Sequence, residues 1–205
     1  MLVPVVFTLG WLLAGVLQEN ANVSRGTISD LGAETADKAW LWNVPLSISG
    51  VLIIAFAAAI YGAFRRTGGL VIAVVFLALF GLSQALSGIL FRRDCRSTEP
   101  GCDDGADYSW HHDIHEALAG PGFLVLIVAL LILMVRFRRE PGWRPLWWYS
   151  LATLIAFISL IVAFAARENE AGSGLIQRGL ATVFFLWIGA VSYRLYTIEK
   201  HSGPP

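Results

Sequence analysis

Six apolar runs divide the chain, near Leu2–Leu17, Trp42–Phe64, Leu70–Phe91, Ile114–Phe137, Pro145–Ala166 and Gly174–Tyr196. A hydrocarbon layer about 30 Å thick is crossed by roughly 20 residues of helix, and it offers no water to satisfy a peptide group. Runs of this length therefore close their backbone hydrogen bonds internally. The sequence predicts an all-α, polytopic transmembrane bundle of six helices in a single domain over residues 1–205. Composition agrees: 56% of the 205 residues are hydrophobic and 15% are charged, with a mean hydropathy of +0.64. A soluble domain of this size would carry more charge on its surface, so the lipid bilayer is the expected solvent and partner. Formal net charge is +0, and no basic stripe is interleaved with aromatics, which argues against nucleic acid as a partner. The first run lacks a basic leader and has no small-x-small site before Gln18-Glu19-Asn20. It reads as a retained helix whose shortness is also consistent with a start upstream of Met1.

Charge placement predicts orientation. Arg65, Arg66, Arg136, Arg138, Arg139, Arg144, Arg194 and Lys200 follow the second, fourth and sixth runs. The other loops are acidic on balance, with Glu19, Asp30, Glu34 and Asp37, then Asp94, Glu99, Asp103, Asp104, Asp107 and Asp113, then Glu168 and Glu170. Arg92, Arg93 and Arg96 weaken this asymmetry without reversing it. The positive-inside rule then puts both termini in the cytoplasm of a multi-pass cell-membrane protein, with its polar cluster on the opposite side. Cys95 and Cys102 share one outer loop around Pro100-Gly101, where an oxidising exterior suits a disulfide; the alternative is two free thiols. Trp40, Trp42, Trp110, Trp143, Trp147 and Trp148 fall at run ends, as an interfacial belt requires. Thr27-Ile28-Ser29-Asp30 has capping-box spacing and predicts a surface helix leading through Ala33 and Ala39 to the second span. Pro45 would then kink or restart that span.

Polar groups within the spans are the informative ones, because each needs a partner or water. Ser83, Ser87 and Asp94 share one face of the third helix beside Gln84, Asn43, Ser47 and Gly50 repeat that spacing in the second, and Gln177 and Arg178 open the sixth. His111 and His115 are four apart, so two imidazoles could converge on one ion, with Asp94 or Asp113 adding a ligand. Pro121, between Gly120 and Gly122, would loosen the helix below them and open a cavity. The alternative is that these are solvated interfacial side chains, that Ser and Gln only bond neighbouring helices, and that Arg178 snorkels.

Ile28-Ser29-Asp30-Leu31-Gly32, Phe91-Arg92-Arg93-Asp94-Cys95, His115 and Gln177-Arg178 together resemble the domain-of-unknown-function 998 family of small multi-spanning membrane proteins. The likeness covers nearly the whole chain, and family members often carry Pro where this chain has Arg92. It implies a helical membrane fold and no established activity. The chain is also distantly similar to membrane hydrolases of the alkaline ceramidase and adiponectin-receptor group. That likeness implies a zinc site drawn from Ser29, Asp94, His111 and His115, although those enzymes have seven spans and split their histidines between helices.

The leading expectation is an outer-leaflet polar cavity that binds a small or lipidic ligand, with Ser29, Asp94, His115 and Arg178 in its lining and Asn43, Ser83, Ser87 and Gln177 on its walls. Asp94 and Arg178 would pair as ions, and His115 would titrate. One alternative is a zinc-dependent lipid or amide hydrolase, with Ser29, Asp94 and His115 catalytic and His111, His115 and Asp94 on the metal. The other is a non-catalytic transporter or scaffold subunit. Oligomeric state is open in all three.

Overall fold

A computed structural model describes residues 1–64, 70–102, 107–167 and 170–202. Arg65, Arg66, Asp103, Asp104 and Glu168, part of the charge reading above, lie outside the described residues. The described residues form six α-helices: α1 (Leu2–Leu17), α2 (Trp40–Phe64), α3 (Val71–Ser87), α4 (Trp110–Arg139), α5 (Arg144–Ala165) and α6 (Ser173–Ser202). No strand occurs among the described residues. The helices α2, α4, α5 and α6 are long and apolar enough to cross a membrane. At 16 and 17 residues, α1 and α3 extend roughly 24–26 Å, a little less than a full hydrocarbon layer.

Each helix packs on its neighbour in sequence, and α6 closes the ring on α1. In a bilayer, packing rather than water exclusion drives this association, which favours small residues where backbones meet. The α2–α3 seam shows it: a Cβ at Gly81 would come within 2.7 Å of the Gly50 carbonyl, and one at Gly88 would strike the Ser47 hydroxyl. On the other side of α2, Gly10 makes room for Pro45. The interior is largely aromatic, with Phe7 stacked near Phe185, Phe184 near Trp187, and Phe137 on Trp143. Trp187 is fully buried and gives its indole N–H to Ser150 Oγ at 2.9 Å. The outside is also apolar: Val16, Leu124, Val162 and Val51 are all exposed, as a lipid-facing surface requires.

Four sequence expectations change. The helix after Thr27 is only a 3-10 turn, Ser29–Gly32. The reciprocal cap does form, with Thr27 N–H donating to Asp30 Oδ2 at 2.8 Å and Asp30 N–H to Thr27 Oγ1 at 3.3 Å. Beyond it Ala33 is extended and Glu34 N–H bonds the Arg93 carbonyl, so the chain is drawn against the loop after α3 and cannot coil onward. The third helix ends at Ser87 instead of Phe91, in turns in which the Leu90 and Phe91 N–H groups both bond the Leu86 carbonyl. The fourth begins at Trp110, before the predicted Ile114, because Ser109 is its N-cap and accepts from His112 N. Finally, Trp42 and Trp143 are core residues, packed on Phe7 and Phe137, whereas Trp40, Trp110 and Trp148 are exposed at helix ends. Pro45 and Pro121 both sit inside continuous helices.

Candidate functional site

The loops after α1, α3 and α5 meet at one end of the bundle, and three arginines hold them together: Arg96 and Arg178, which are buried, and Arg93, which is partly buried. Arg93 pairs with Asp30 at 2.9 Å and with Glu116 at 3.2 Å. Asp30, 4% exposed, also accepts from Ser97 N and Ser97 Oγ, at 3.1 and 2.6 Å. With the Thr27 bond, its carboxylate is fully engaged. Arg96 reaches the Glu19 carbonyl at 2.8 Å and Asp37 at 3.3 Å, next to the disulfide formed by Cys95 and Cys102. Arg178 gives one terminal nitrogen to the carbonyls of Val23, Gly26 and Gly174, with its guanidinium over Trp11. A side chain at Gly174 would collide with the Val23 and Gly26 carbonyls, which explains the small residue where the loop crosses α6. Gln18 ties the end of α1 to the Leu31 and Lys38 carbonyls.

The expected Asp94–Arg178 ion pair is not made among the described residues, because each group is committed elsewhere. Asp94 accepts from Ser109 N and Oγ at 2.7 and 2.6 Å, and its own N–H donates to His112 Nδ1 at 3.1 Å. Burial pushes the Asp94 carboxyl up, but the Ser109 hydrogen bonds, with His111 and His112 nearby, outweigh it and hold the group below the usual carboxylate range. His112, one of the least exposed polar residues, stacks on Tyr108. Asn43 bonds the Gly32 carbonyl.

The two histidines singled out by spacing also part company. His111 Nδ1 lies 3.1 Å from the Arg92 carbonyl and 3.3 Å from Asp94 Oδ1. Glu34, Asp94 and His111 form a group that could hold a metal ion, each offering a ligand atom within 4.8 Å of the others. His115 is not in it. The donors fit a cation in kind, but Glu34 already pairs with Arg92 and both Asp94 oxygens face Ser109, so a metal would have to displace those bonds.

His115 instead turns toward the bundle interior. Its Nδ1 is 2.9 Å from the Phe91 carbonyl and its Nε2 is 3.0 Å from Ser29 Oγ. Below this pair opens a cavity of about 140 Å³, partly open to the surroundings and bounded by all six helices and the Ile28–Ser29 loop. Its polar lining is Ser29, Ser83, Gln84, Ser87, His115 and Gln177; the remainder is apolar, reaching Leu126, Phe157 and Phe184. The polar members all lie within about two turns of the polar helix ends. His115 and Leu126, eleven residues apart on α4, set a depth of roughly 16 Å. Gln177 Oε1 accepts from Ile28 N at 2.6 Å. Thus Ser29, Ser83, Ser87, His115 and Gln177 share one cavity, while Asn43, Asp94, His111 and Arg178 build the scaffold around it. Sequence reasoning missed the role of Phe91, whose backbone carbonyl is carried to His115 by the turns after α3. It also read Arg96 only as a charge in the topology count, and Arg93 only as such a charge and as part of the motif that carries the family likeness.

A ring of six apolar helices, closed at one end by a buried polar network, defines a polytopic helical membrane protein. The chain belongs to the family described as "Protein of unknown function (DUF998)", whose model matches residues 1–194. No curated protein and no solved structure matches it.

Proposed function

We propose that this protein binds a lipid-like molecule, placing an acyl segment between the helices and the attached polar group against Ser29, His115 and Gln177. The observation that carries this reading is the graded lining of the cavity, polar at the loop end and apolar toward Leu126 and Phe184. Such a gradient matches an amphiphile held lengthwise. A cavity of similar size in a protein core accommodates a benzene ring, so the occupant here is a short stretch of chain rather than a whole lipid. A few well-placed polar groups in an otherwise apolar site are what orient a ligand. Zinc chemistry is left out of this reading, because the Glu34, Asp94 and His111 group includes neither Ser29 nor His115.

Filling the space tests it. Ala181 lines the cavity, and Ala181→Phe would occupy it from the α6 wall. Purified protein in nanodiscs should bind a fluorescent fatty-acid analogue at the cavity, and the variant should bind it at least tenfold more weakly, a loss of about 1.4 kcal/mol. Equal binding by the two proteins would refute an occupant in this cavity.

A further inference from the structure

We propose that Ser29 is a nucleophile activated by His115, and that the protein cleaves or transfers an acyl ester whose chain lies in the cavity; this rests on the acyl-binding reading above. The argument begins with a tautomer. A carbonyl oxygen can only accept, so the 2.9 Å contact between Phe91 O and His115 Nδ1 puts the proton on Nδ1. The neutral ring then presents a lone pair at Nε2, which faces Ser29 Oγ at 3.0 Å. Nucleophile, base and an acceptor that orients the base thus stand in line, the arrangement that activates serine hydroxyls on unrelated folds. Here the third member is a main-chain carbonyl in place of a carboxylate.

Two further features suit acyl chemistry. Both side chains of the pair line the cavity, so an ester with its chain directed toward Phe184 would present its carbonyl carbon near Oγ. Gln177 spends its Oε1 on the Ile28 N–H, one residue before Ser29. Its amide orientation is set by that bond, which leaves the NH₂ group as the donor on a cavity-lining side chain. A carboxamide donor beside a nucleophile is one form of oxyanion stabiliser. In the reaction, the Ser29 hydroxyl proton passes to His115 Nε2 as Oγ bonds to the carbonyl carbon. The bond from that carbon to the alcohol oxygen then breaks, and the alcohol leaves with the proton from His115. A water, or a second alcohol in a transfer reaction, then gives its proton to His115 Nε2 as it attacks the acyl carbon; the bond from that carbon to Ser29 Oγ breaks, and the proton on Nε2 passes to Oγ, which restores the serine and the neutral histidine.

A dodecyl fluorophosphonate, which phosphonylates an activated serine with loss of fluoride, tests this on the full chain in nanodiscs. Intact mass and peptide mapping should show one adduct, on Ser29. Ser29→Ala should abolish it, and His115→Gln should slow it by about 10²–10⁴-fold, the usual contribution of a general base. Gln177→Glu keeps the acceptor for Ile28 N–H while removing the donor, and should slow it about 10²–10³-fold with unchanged thermal stability. The fluorescent fatty-acid measurement runs in parallel. Wild-type protein that binds the fatty acid but acquires no adduct on Ser29 overturns the nucleophile and leaves the binding reading standing. Protein that does neither overturns both. Labelling of Ser29 at an unchanged rate in His115→Gln overturns the role of the histidine.

Discussion

At the scale of single residues, the polar end is a set of partnered side chains around one pair that lines a cavity. Asp30, Arg96 and Arg178 are buried and, like the partly buried Arg93, bond neighbouring groups, as charges taken out of water must. Ser29 and His115 bond each other and face open space. Asp94 belongs to the first kind, and its titration can be read in stability. Its folded pKa lies below the ordinary carboxylate value, so the stabilisation it provides is complete above about pH 4 and is lost as pH falls through the lower folded value. Asp94→Asn should therefore unfold at a lower temperature than wild type at pH 7. The difference should shrink in acid below about pH 4, followed by thermal unfolding in detergent. A gap that stayed constant down to pH 2 would show that the Ser109 bonds do not depend on the Asp94 charge.

Between elements, α2 packs backbone against backbone on α3, and this seam fixes where Ser83, Ser87 and Gln84 stand relative to α2. Gly81 has the Gly50 carbonyl and Ile54 N directly over it, whereas Gly62, on the same α2, has nothing within 4 Å. Substituting Ala at the two positions should thus have opposite effects. Gly81→Ala should destabilise by about 1–3 kcal/mol through overpacking. Gly62→Ala should be neutral or stabilise by up to about 1 kcal/mol through helix propensity. Unfolding midpoints of the two variants in the same detergent check the contrast, and equal midpoints would mean that the seam yields without cost. The same scale explains the early end of α3. By stopping at Ser87, the helix lets the chain turn through Ile89–Phe91, which carries the Phe91 carbonyl to His115, a placement that hydrophobicity over Ile89-Leu90-Phe91 concealed.

For the whole molecule, the described basic residues Arg136, Arg138, Arg139, Arg144 and Arg194 lie at the end of the bundle opposite the cavity mouth, with Arg194 bonded to the Gly142 carbonyl. The positive-inside rule predicts that end to be cytoplasmic, which would place Cys95 and Cys102 on an oxidising exterior. A C-terminal green fluorescent protein fusion in a bacterial host should then fluoresce, and a C-terminal alkaline phosphatase fusion should be inactive. The reverse pattern would turn the protein over and place the cavity mouth in the cytoplasm.

Helix number and type, the polar character of one end and the pairing of Cys95 with Cys102 were all legible in the sequence. These depend on the length and polarity of contiguous segments, and the bilayer leaves a segment of that kind few alternatives. Which polar residues meet was decided only by the tertiary structure. His111 and His115 share a face by spacing, yet one turns to Asp94 and the other to Ser29, 86 residues earlier. Arg178 and Asp94 complement each other in charge, yet the path of the loop after α1 brings the Val23 and Gly26 carbonyls to Arg178 first. Each residue turns a helix by about 100°, and irregular loops carry no period at all. Partnership at the polar end is therefore set by where helices stop and how the loops fold over them, and the Ser29–His115 pair exists because α3 stops short and α4 starts early.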